Sequence, residues 1–209
     1  MTAHQNRVHE GRVIAVNGNL VTAEFEQPVT QNEVTYVRLG ELRLKSELIR
    51  IRGHFAEMQV FEDTTGLKAG DRVDFSGELL SAELGPGLLG QTYDGLQNPL
   101  PELAAQCGNF LQRGTYLLPL DRARKWPWTP VVKAGASVFA GDTLGTVPEG
   151  IFTHRVMVPF QLRGAWTVQE VAKAGECDVE RVIAKLQNAD GAVHEVRLMM
   201  RWPVKLPIR

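Results

Sequence analysis

A glycine-rich stretch, residues 85–90 (GPGLLG), has the spacing of a dinucleotide-binding loop. It matches G-x-G-x-x-G, a pattern whose backbone amides hold a pyrophosphate at the start of a helix. Pro86 has no amide hydrogen to offer, and Gly95 and Pro99 would interrupt the helix that must follow. We therefore interpret residues 85–90 as a structural turn. The P-loop string G-x-x-x-x-G-K-[ST], which binds nucleotide phosphates, occurs nowhere in the 209 residues.

The other side chains that could do chemistry do not form a pattern. No two histidines have the i, i+4 spacing of a zinc site, and no G-x-S-x-G nucleophile motif occurs. We interpret His154 as a structural histidine, because nothing near it in the sequence offers a partner. The neighbouring charges at 62–63 (ED) and 121–122 (DR) are most simply solvated loops. We expect no catalytic, cofactor-binding or metal-binding residue in this chain.

Two cysteines and a tryptophan segment have mainly structural explanations. Cys107 and Cys177 lie 70 residues apart, which is no metal motif, and we expect free buried thiols. Residues 125–130 (KWPWTP) form a stiff, extended segment. We favour packing of its tryptophans into a domain core over a protein contact, because Trp is also enriched at interfaces. Stacking on nucleic acid is least favoured, because the local charge is only weakly basic.

The composition is that of a globular protein without a strong electrostatic field. Hydrophobic residues make up 44% of the chain, charged residues 22%, and the net charge is −1. This argues against nucleic-acid binding, and the absence of an 18-residue apolar run argues against insertion into a membrane. The polar first twelve residues are not expected to be a secretory signal. Residues 1–105 carry a net −6 and residues 106–209 a net +5, which indicates two domains.

Short alternating apolar runs predict a mainly β protein. Residues 12–26 read as a hairpin around Asn17-Gly18-Asn19, and further strands are expected at 34–39, 42–52, 55–61 and 73–75. Five or six short strands in so short a stretch favour a small closed barrel, because closure removes exposed edges. The predicted first domain is a six-stranded barrel over residues 1–78.

The rest of the chain predicts a connector and a second β-rich domain. The connector, residues 79–108, should contain a helical turn or two over 88–96 and a short helix over 101–108. The second domain, residues 109–195, has turns about ten residues apart, and its expected strands are 115–120, 131–132, 144–147, 154–158, 165–171, 181–187 and 193–200. Residues 196–209 are expected to be a linker, and the prolines of the final RWPVKLPIR should keep it out of any sheet.

Residues 131–187 resemble the barrel-sandwich hybrid fold of lipoyl and biotinyl domains. The likeness lies in Val-x-x-Gly, Gly-Asp-x-Leu-Gly and the later Pro, Gly and Val positions. Those domains attach their cofactor to a lysine at the tip of a central hairpin. This sequence has no lysine between Glu149 and Gly164. The resemblance therefore implies the fold without the carrier chemistry, and a covalent lipoyl or biotinyl adduct would be needed to revive a carrier role.

Several segments together resemble the amino-terminal region of the catalytic A subunit of V-type and A-type rotary ATPases. The run from FEDTTGL through ELGPGLL to YDGLQNPL is the most specific part, and KWPWTP and GTVPE distinguish A subunits from their relatives. The matching segments are 11–20, 60–67, 83–89, 93–100, 125–130, 145–149, 153–154 and 201–205.

The resemblance implies a role in assembly. It implies that residues to about 78 are the barrel that alternates with the barrels of B subunits in a hexamer. It implies that residues 109–195 are the A-subunit insertion, called the bulge or non-homologous region, which lies toward the peripheral stalk. The parent enzyme couples ATP hydrolysis or synthesis to proton or sodium transport, and is cytoplasmic and peripheral to the membrane.

The nucleotide-binding part of that family has no counterpart in these 209 residues. In the family, RWPVK leads into the domain that binds ATP and Mg²⁺, so we expect neither to bind here, and whether the chain is enzymatic depends on the parent. Residues 39–58 also contain a compressed form of the family's loop between barrel strands. An alternative from another class is a free-standing protein-binding β module unrelated to ATP turnover. Reading the coding sequence for a P-loop within about 40 residues after position 209 would discriminate the two.

Overall fold

The computed structural model describes residues 9–108 and 110–207, which contain sixteen β-strands and one short α-helix. The mainly β fold class predicted from the sequence is confirmed. The chain divides into two compact units, and neither is continuous in sequence. The first contains the chain up to Ser81 together with Ala104–Tyr116. The second contains Ala82–Leu103 together with the chain from Leu117 onward.

The first unit is built on a closed, fully antiparallel barrel of six strands. Its strands are β1 (His9–Asn17), β2 (Leu20–Phe25), β3 (Glu33–Leu39), β4 (Leu42–Arg52), β5 (Phe55–Val60) and β6 (Arg72–Leu79). They follow the order β1-β2-β5-β4-β3-β6, and β6 pairs back onto β1. Closure leaves no unpaired edge in this sheet, which is the physical reason for predicting a barrel. The predicted six-stranded barrel is confirmed.

Three barrel hairpins use the same two-residue loop with glycine first. Gly18, Gly40 and Gly53 have φ of +57°, +59° and +58°, and each directly follows a strand. Positive φ at the first loop residue gives the turn a twist that matches the strands it joins, and only glycine adopts it without strain. The hairpin predicted around Asn17-Gly18-Asn19 is confirmed.

The barrel interior is filled by alternating apolar side chains. Phe25 and Phe75 meet edge to face with ring centroids 5.9 Å apart. Gly11 permits this packing, because a Cβ there would lie 2.8 Å from the Phe75 ring and 2.6 Å from the Glu24 carbonyl oxygen. The buried core residues are Val13, Val21, Ala23, Phe25, Val37, Leu44, Leu48, Ala56, Met58, Val60, Val73 and Phe75.

The second unit contains two four-stranded sheets and a two-stranded one. The remaining elements are β7 (Ser81–Leu84), α1 (Leu100–Cys107), β8 (Trp126–Pro130), β9 (Ser137–Val138), β10 (Thr143–Glu149), β11 (Phe152–Met157), β12 (Trp166–Val171), β13 (Gly175–Cys177), β14 (Val182–Gln187), β15 (Val193–Arg197) and β16 (Met200–Pro203). The sheet orders are β11-β10-β8-β13, β15-β14-β12-β9 and β16-β7. The division between units falls inside α1.

Tryptophans dominate the core of the second unit. Trp126 and Trp128 are 3% and 1% exposed, which confirms that the KWPWTP segment packs into a domain core. The Trp128 Nε1–H donates to the Ala172 carbonyl at 3.2 Å. A Cβ on Gly145 would lie 2.1 Å from the Trp128 ring, so this large side chain requires a glycine opposite it. Cys177 is buried in the same core and both cysteines are free, although Cys107 is only half-buried.

Several predicted elements are wrong, and prolines explain two of them. Residues 131–132 are not a strand. The strand instead covers Trp126–Pro130, where a fixed proline φ near −65° suits an extended chain. The final segment does join a sheet, because β16 pairs with β7, and Pro203 sits only at its end. This strand lies within the predicted linker, residues 196–209.

The other corrections concern segments held by side chains. Residues 115–120 form no strand, because the Leu117 amide donates to Asn98 Oδ1 at 2.9 Å and the Tyr116 hydroxyl accepts from the Lys45 amide at 2.6 Å. Residues 88–96 form turns without a helix. The predicted short helix is confirmed as α1. Within residues 9–108 and 110–207, no helix is long and apolar enough to cross a membrane.

Candidate functional site

The glycine-rich loop at 85–90 surrounds an anion that the chain itself supplies. Glu149, at the end of β10, is 5% exposed. Its Oε1 accepts the amide hydrogens of Gly87 at 2.6 Å and Leu89 at 3.1 Å. These are two of the amides that a nucleotide phosphate would need. The loop therefore serves as a structural turn around a carboxylate, as its sequence context predicted.

The glycines of this loop are also required by packing. A Cβ on Gly85 would lie 3.0 Å from the Met199 Cβ and 3.1 Å from Leu120 Cδ1. Gly87 has a φ of +109° and faces the Trp126 ring. Close packing and a left-handed backbone thus account for the glycine pattern without any ligand.

His154 has a partner that the sequence did not reveal. Its Nδ1 lies 3.0 Å from Glu149 Oε2, across the hairpin that joins β10 and β11. The interpretation of His154 as a structural histidine rested on its having no neighbour, and that reason is wrong. The contact nevertheless orients a buried carboxylate and leaves the histidine three-quarters covered. The pair could be found from the sequence only by pairing the strands, since Glu149 and His154 lie on the two strands of a hairpin with four residues between them.

Two arginines form ion pairs with a second buried carboxylate, that of Glu83 on β7. Arg122 Nη2 lies 2.8 Å from the Glu83 carboxylate, and Arg201 Nη2 on β16 lies 3.4 Å from it. The Arg122 side chain is only 18% exposed and also contacts Glu180. The prediction that 121–122 is simply a solvated loop is therefore wrong for Arg122. Burial of a carboxylate is tolerated here because opposite charges and hydrogen bonds surround it.

The YDGLQNPL segment completes the surroundings of Glu83. Gln97 exchanges two hydrogen bonds of 2.7 Å with the Glu83 backbone, which holds Gln97 at a φ of +65°. Asp94 accepts the amides of Leu96 and Asn98 at 2.9 and 2.7 Å. Five of the segments that carried the family resemblance thus meet around Glu83 and Glu149, namely 83–89, 93–100, 145–149, 153–154 and 201–205.

The FEDTTGL segment has a corresponding role in the first unit. Glu62 accepts hydrogen bonds from the Gly114 amide, at 2.5 Å, and from the Tyr116 hydroxyl. The Thr64 hydroxyl donates to the Gly18 carbonyl at 2.8 Å in the β1–β2 loop. Glu62 is therefore no solvated loop residue, whereas Asp63 is exposed and binds its own neighbour Thr65.

A shallow surface depression and a buried thiol lie elsewhere in the second unit. A shallow depression of about 230 Å³ lies over β12 and β14, and the ion pair between Lys185 and Glu170, at 2.9 Å, crosses its lining. Burial raises the pKa of the Cys177 thiol, which keeps it neutral and unreactive. In the described ranges no three His, Cys, Asp or Glu side chains are grouped as metal ligands.

Two domain families match the chain, and the matches coincide with the two β-rich parts. Residues 13–77 match the β-barrel domain of the ATP synthase alpha/beta family. Residues 117–205 match the ATP synthase alpha/beta subunit barrel-sandwich domain. The chain belongs to the ATP synthase alpha/beta family.

The relatives that the chain matches are alpha chains of V-type ATP synthases. The chain is similar to the V-type ATP synthase alpha chain of Treponema denticola, with 52% identity over 95% of this chain and 34% of the relative. Identity is 53% to alpha chain 1 of Treponema pallidum and 49% to the alpha chain of Borreliella burgdorferi, over similar shares. The chain is homologous to the amino-terminal part of the V-type alpha, or A, subunit. It spans about a third of the length of these relatives.

Proposed function

We propose that this chain acts as the amino-terminal assembly region of an A subunit in a V/A-type rotary ATPase. In this proposal the barrel alternates with the barrels of B subunits in the hexamer. The barrel-sandwich domain provides a contact surface toward the peripheral stalk. The complete enzyme couples ATP hydrolysis or synthesis to proton or sodium transport, as a cytoplasmic assembly bound peripherally to the membrane.

One observation carries the proposal. The barrel match and the barrel-sandwich match occur together in one chain that is 52% identical to a V-type alpha chain over 95% of its own length. The structure adds support, because the resemblance segments hold the second unit through Glu83 and Glu149.

A chimeric subunit tests the assembly role. Residues 1–209 replace the matching third of the Treponema denticola alpha chain, which is expressed with the B subunit of the same complex. We expect native mass spectrometry to show the same alternating hexamer for the chimera and for the unmodified alpha chain measured in parallel. A chimera that folds, by circular dichroism, but stays monomeric beside B would contradict the proposal.

A binding measurement tests the proposed absence of nucleotide and Mg²⁺ chemistry in this region. The amides of Gly87 and Leu89 already bind a carboxylate, so the one glycine-rich loop that resembles a phosphate cradle does not fit a phosphate. We expect no heat of binding when Mg-ATP is titrated into the 209-residue chain. Saturable binding at micromolar ATP would show that the chain holds a nucleotide site.

A further inference from the structure

The hairpin between β10 and β11 ends in an exposed apolar tip. This hairpin tip comprises Gly150, Ile151 and Phe152. Ile151 is 94% exposed and Phe152 is 57% exposed. Gly150 has a φ of +59°, which suits the two-residue hairpin loop that it forms with Ile151. Because β11 is the outermost strand of its sheet, no further strand of that sheet covers the outer side of the hairpin.

The base of the hairpin is unusually well fixed. Glu149 comes directly before the tip, and its buried carboxylate binds the Gly87 and Leu89 amides and His154. Three hydrogen bonds to one carboxylate tie the hairpin both to its own second strand and to the loop at 85–90. A rigid base lowers the entropy lost when a tip is immobilised by a partner.

The hairpin and the loop bound to its base expose an apolar side chain and a positive charge. Leu89, whose amide binds the same carboxylate, is 53% exposed. From residue 143 to residue 169 the only acidic residue is Glu149, which is buried. Arg155, on β11, is exposed. Within strands β10 and β11 the exposed charge is therefore positive.

We propose that the hairpin tip inserts into an apolar pocket, rimmed by carboxylates, on a partner protein of the assembled complex. The inference rests on the proposed function, since it places the partner in the same complex. Ile151 and Phe152 supply the apolar anchor, and Arg155 supplies the charge that meets the rim. An isolated exposed side chain would need no explanation, but two adjacent ones on a fixed hairpin meet the description of an interface anchor.

The charges and the small area favour this occupant over two others. A second copy of the chain would bring two Arg155-bearing tips together, and like charges repel. Stable attachment to an anionic membrane needs several basic residues or a second anchor. Two or three side chains bury far less than the roughly 1,200 Å² of a stable interface, so the tip acts as one anchor within a larger contact.

Site-specific photocrosslinking in the purified complex identifies what the tip touches. Benzoylphenylalanine replaces Ile151 in the chimeric alpha chain described above, and the products are mapped by mass spectrometry. The matched control carries the same probe at Val193, which is 58% exposed in the other four-stranded sheet of the same unit. We expect a protein crosslink from position 151 to a segment with apolar residues and at least two carboxylates, which the control does not give.

Substitutions then test the anchor and its charge. Ile151→Ser with Phe152→Ser, and separately Arg155→Glu, should lower the yield of that crosslinked contact at least tenfold, measured with a probe at Leu89. Val193→Ser should leave it unchanged. All these side chains are exposed, so the melting temperature should not move and folding can be verified for each variant.

The outcomes separate the inference from the function on which it rests. A chimera that does not enter the complex contradicts the proposed function, and the inference falls with it. A complex that forms normally overturns the inference alone if position 151 crosslinks only to lipid, to a second copy or to nothing. The same conclusion follows if the crosslinked segment lacks carboxylates.

Discussion

Three of the buried glutamates have structural roles of the kind that sequence patterns can suggest for catalysts. Glu33, Glu83 and Glu149 are 1%, 6% and 5% exposed. Each accepts hydrogen bonds from backbone amides or arginines that lie far away in the sequence. A buried charge without such partners would be strongly destabilising, so these contacts restrict how the surrounding loops can be arranged.

Glu33, at the start of β3, has a shifted pKa whose effect on stability can be measured. Its carboxylate accepts the Thr30 amide at 2.8 Å and the Gly77 amide at 2.6 Å. Burial raises the pKa of Glu33 above its usual value of 4.5, although these two hydrogen bonds and the charge of His9 oppose the shift. The net direction shows that loss of water outweighs the favourable contacts.

Replacing Glu33 should remove a dependence of stability on pH. While Glu33 is protonated in both the folded and the unfolded protein, its ionisation does not affect the free energy of unfolding. Stability then falls as the pH rises from about 4.5 through the raised folded-state pKa, because the unfolded chain ionises first. In Glu33→Gln this fall should be absent. Urea unfolding between pH 3 and pH 7 measures this fall as the difference in the free energy of unfolding between the wild type and Glu33→Gln.

Asp63 provides a control of opposite sign. Its hydrogen bonds from Thr65 lower the pKa of the carboxyl below 3.8, so its contribution is present above pH 3.8 and is lost as the pH falls through the lowered value. Asp63→Asn should therefore lower the stability above pH 3.8, and its difference from the wild type should shrink as the pH falls through the lowered value. If Glu33→Gln followed the wild-type profile throughout, the burial argument for Glu33 would be incorrect.

At this scale the sequence predicted the roles of the apolar residues better than those of the charged ones. The burial of Trp126 and Trp128 could be anticipated because large apolar side chains are stabilised by leaving water. The partners of Glu62, Glu149 and Arg122 could not, because each contact joins residues brought together only by the fold.

The elements are organised by a single turn design. Gly18, Gly40, Gly53 and Gly150 each open a two-residue hairpin loop with φ between +57° and +59°. Only the first was predicted from the sequence, because Asn-Gly is a strong signal, whereas Gly-Glu, Gly-His and Gly-Ile are weaker ones. The other three loops could have been predicted from the alternating strand pattern on both sides of each loop.

A substitution in one loop tests the cost of this design. Gly53→Ala, between β4 and β5, should destabilise the barrel by about 1–2 kcal/mol, because an L-residue is strained at a φ of +58°. Open space surrounds the new Cβ, so backbone strain is the only cost. Chemical denaturation followed by far-ultraviolet circular dichroism measures the change.

The matched control is Gly95→Ala. A Cβ on Gly95 also meets open space, but its φ is not in the left-handed region. The same substitution there should be neutral or slightly stabilising, because it restricts the unfolded chain. Equal losses at Gly53 and Gly95 would show that the loop conformation is not the cause.

A strand that ends in a proline was not predicted from the sequence. The prolines of the final RWPVKLPIR predicted a segment outside any sheet, yet Met200–Pro203 pairs with β7. A proline at the end of an edge strand removes no needed hydrogen bond, so its position matters more than its presence. The alternating apolar pattern that predicted the barrel carries no information on such short, isolated pairs.

At the scale of the whole molecule, the second unit is assembled from two separate stretches of chain. Ala82–Leu103 provides Glu83, Gly87 and the β7 strand, and the chain from Leu117 onward provides Arg122, Glu149 and β16. The barrel-sandwich match begins only at residue 117, so it omits the first stretch. The physical unit is larger than the matched domain.

Two polypeptides test this conclusion. Residues 82–209 should fold cooperatively, with a dispersed amide spectrum by nuclear magnetic resonance. Residues 117–209 lack the partners of Glu149, Arg122 and Arg201, and should melt at a clearly lower temperature or fail to fold. Equal melting temperatures for the two would show that residues 82–103 are dispensable for the second unit.

The distribution of aromatic residues decides what optical probes can see. All four tryptophans, at positions 126, 128, 166 and 202, belong to the second unit, while the barrel core relies on Phe25 and Phe75. Intrinsic fluorescence excited at the red edge of protein absorption therefore reports on one of the two cores and is blind to the other. A tryptophan introduced into the barrel would give each core its own emission signal.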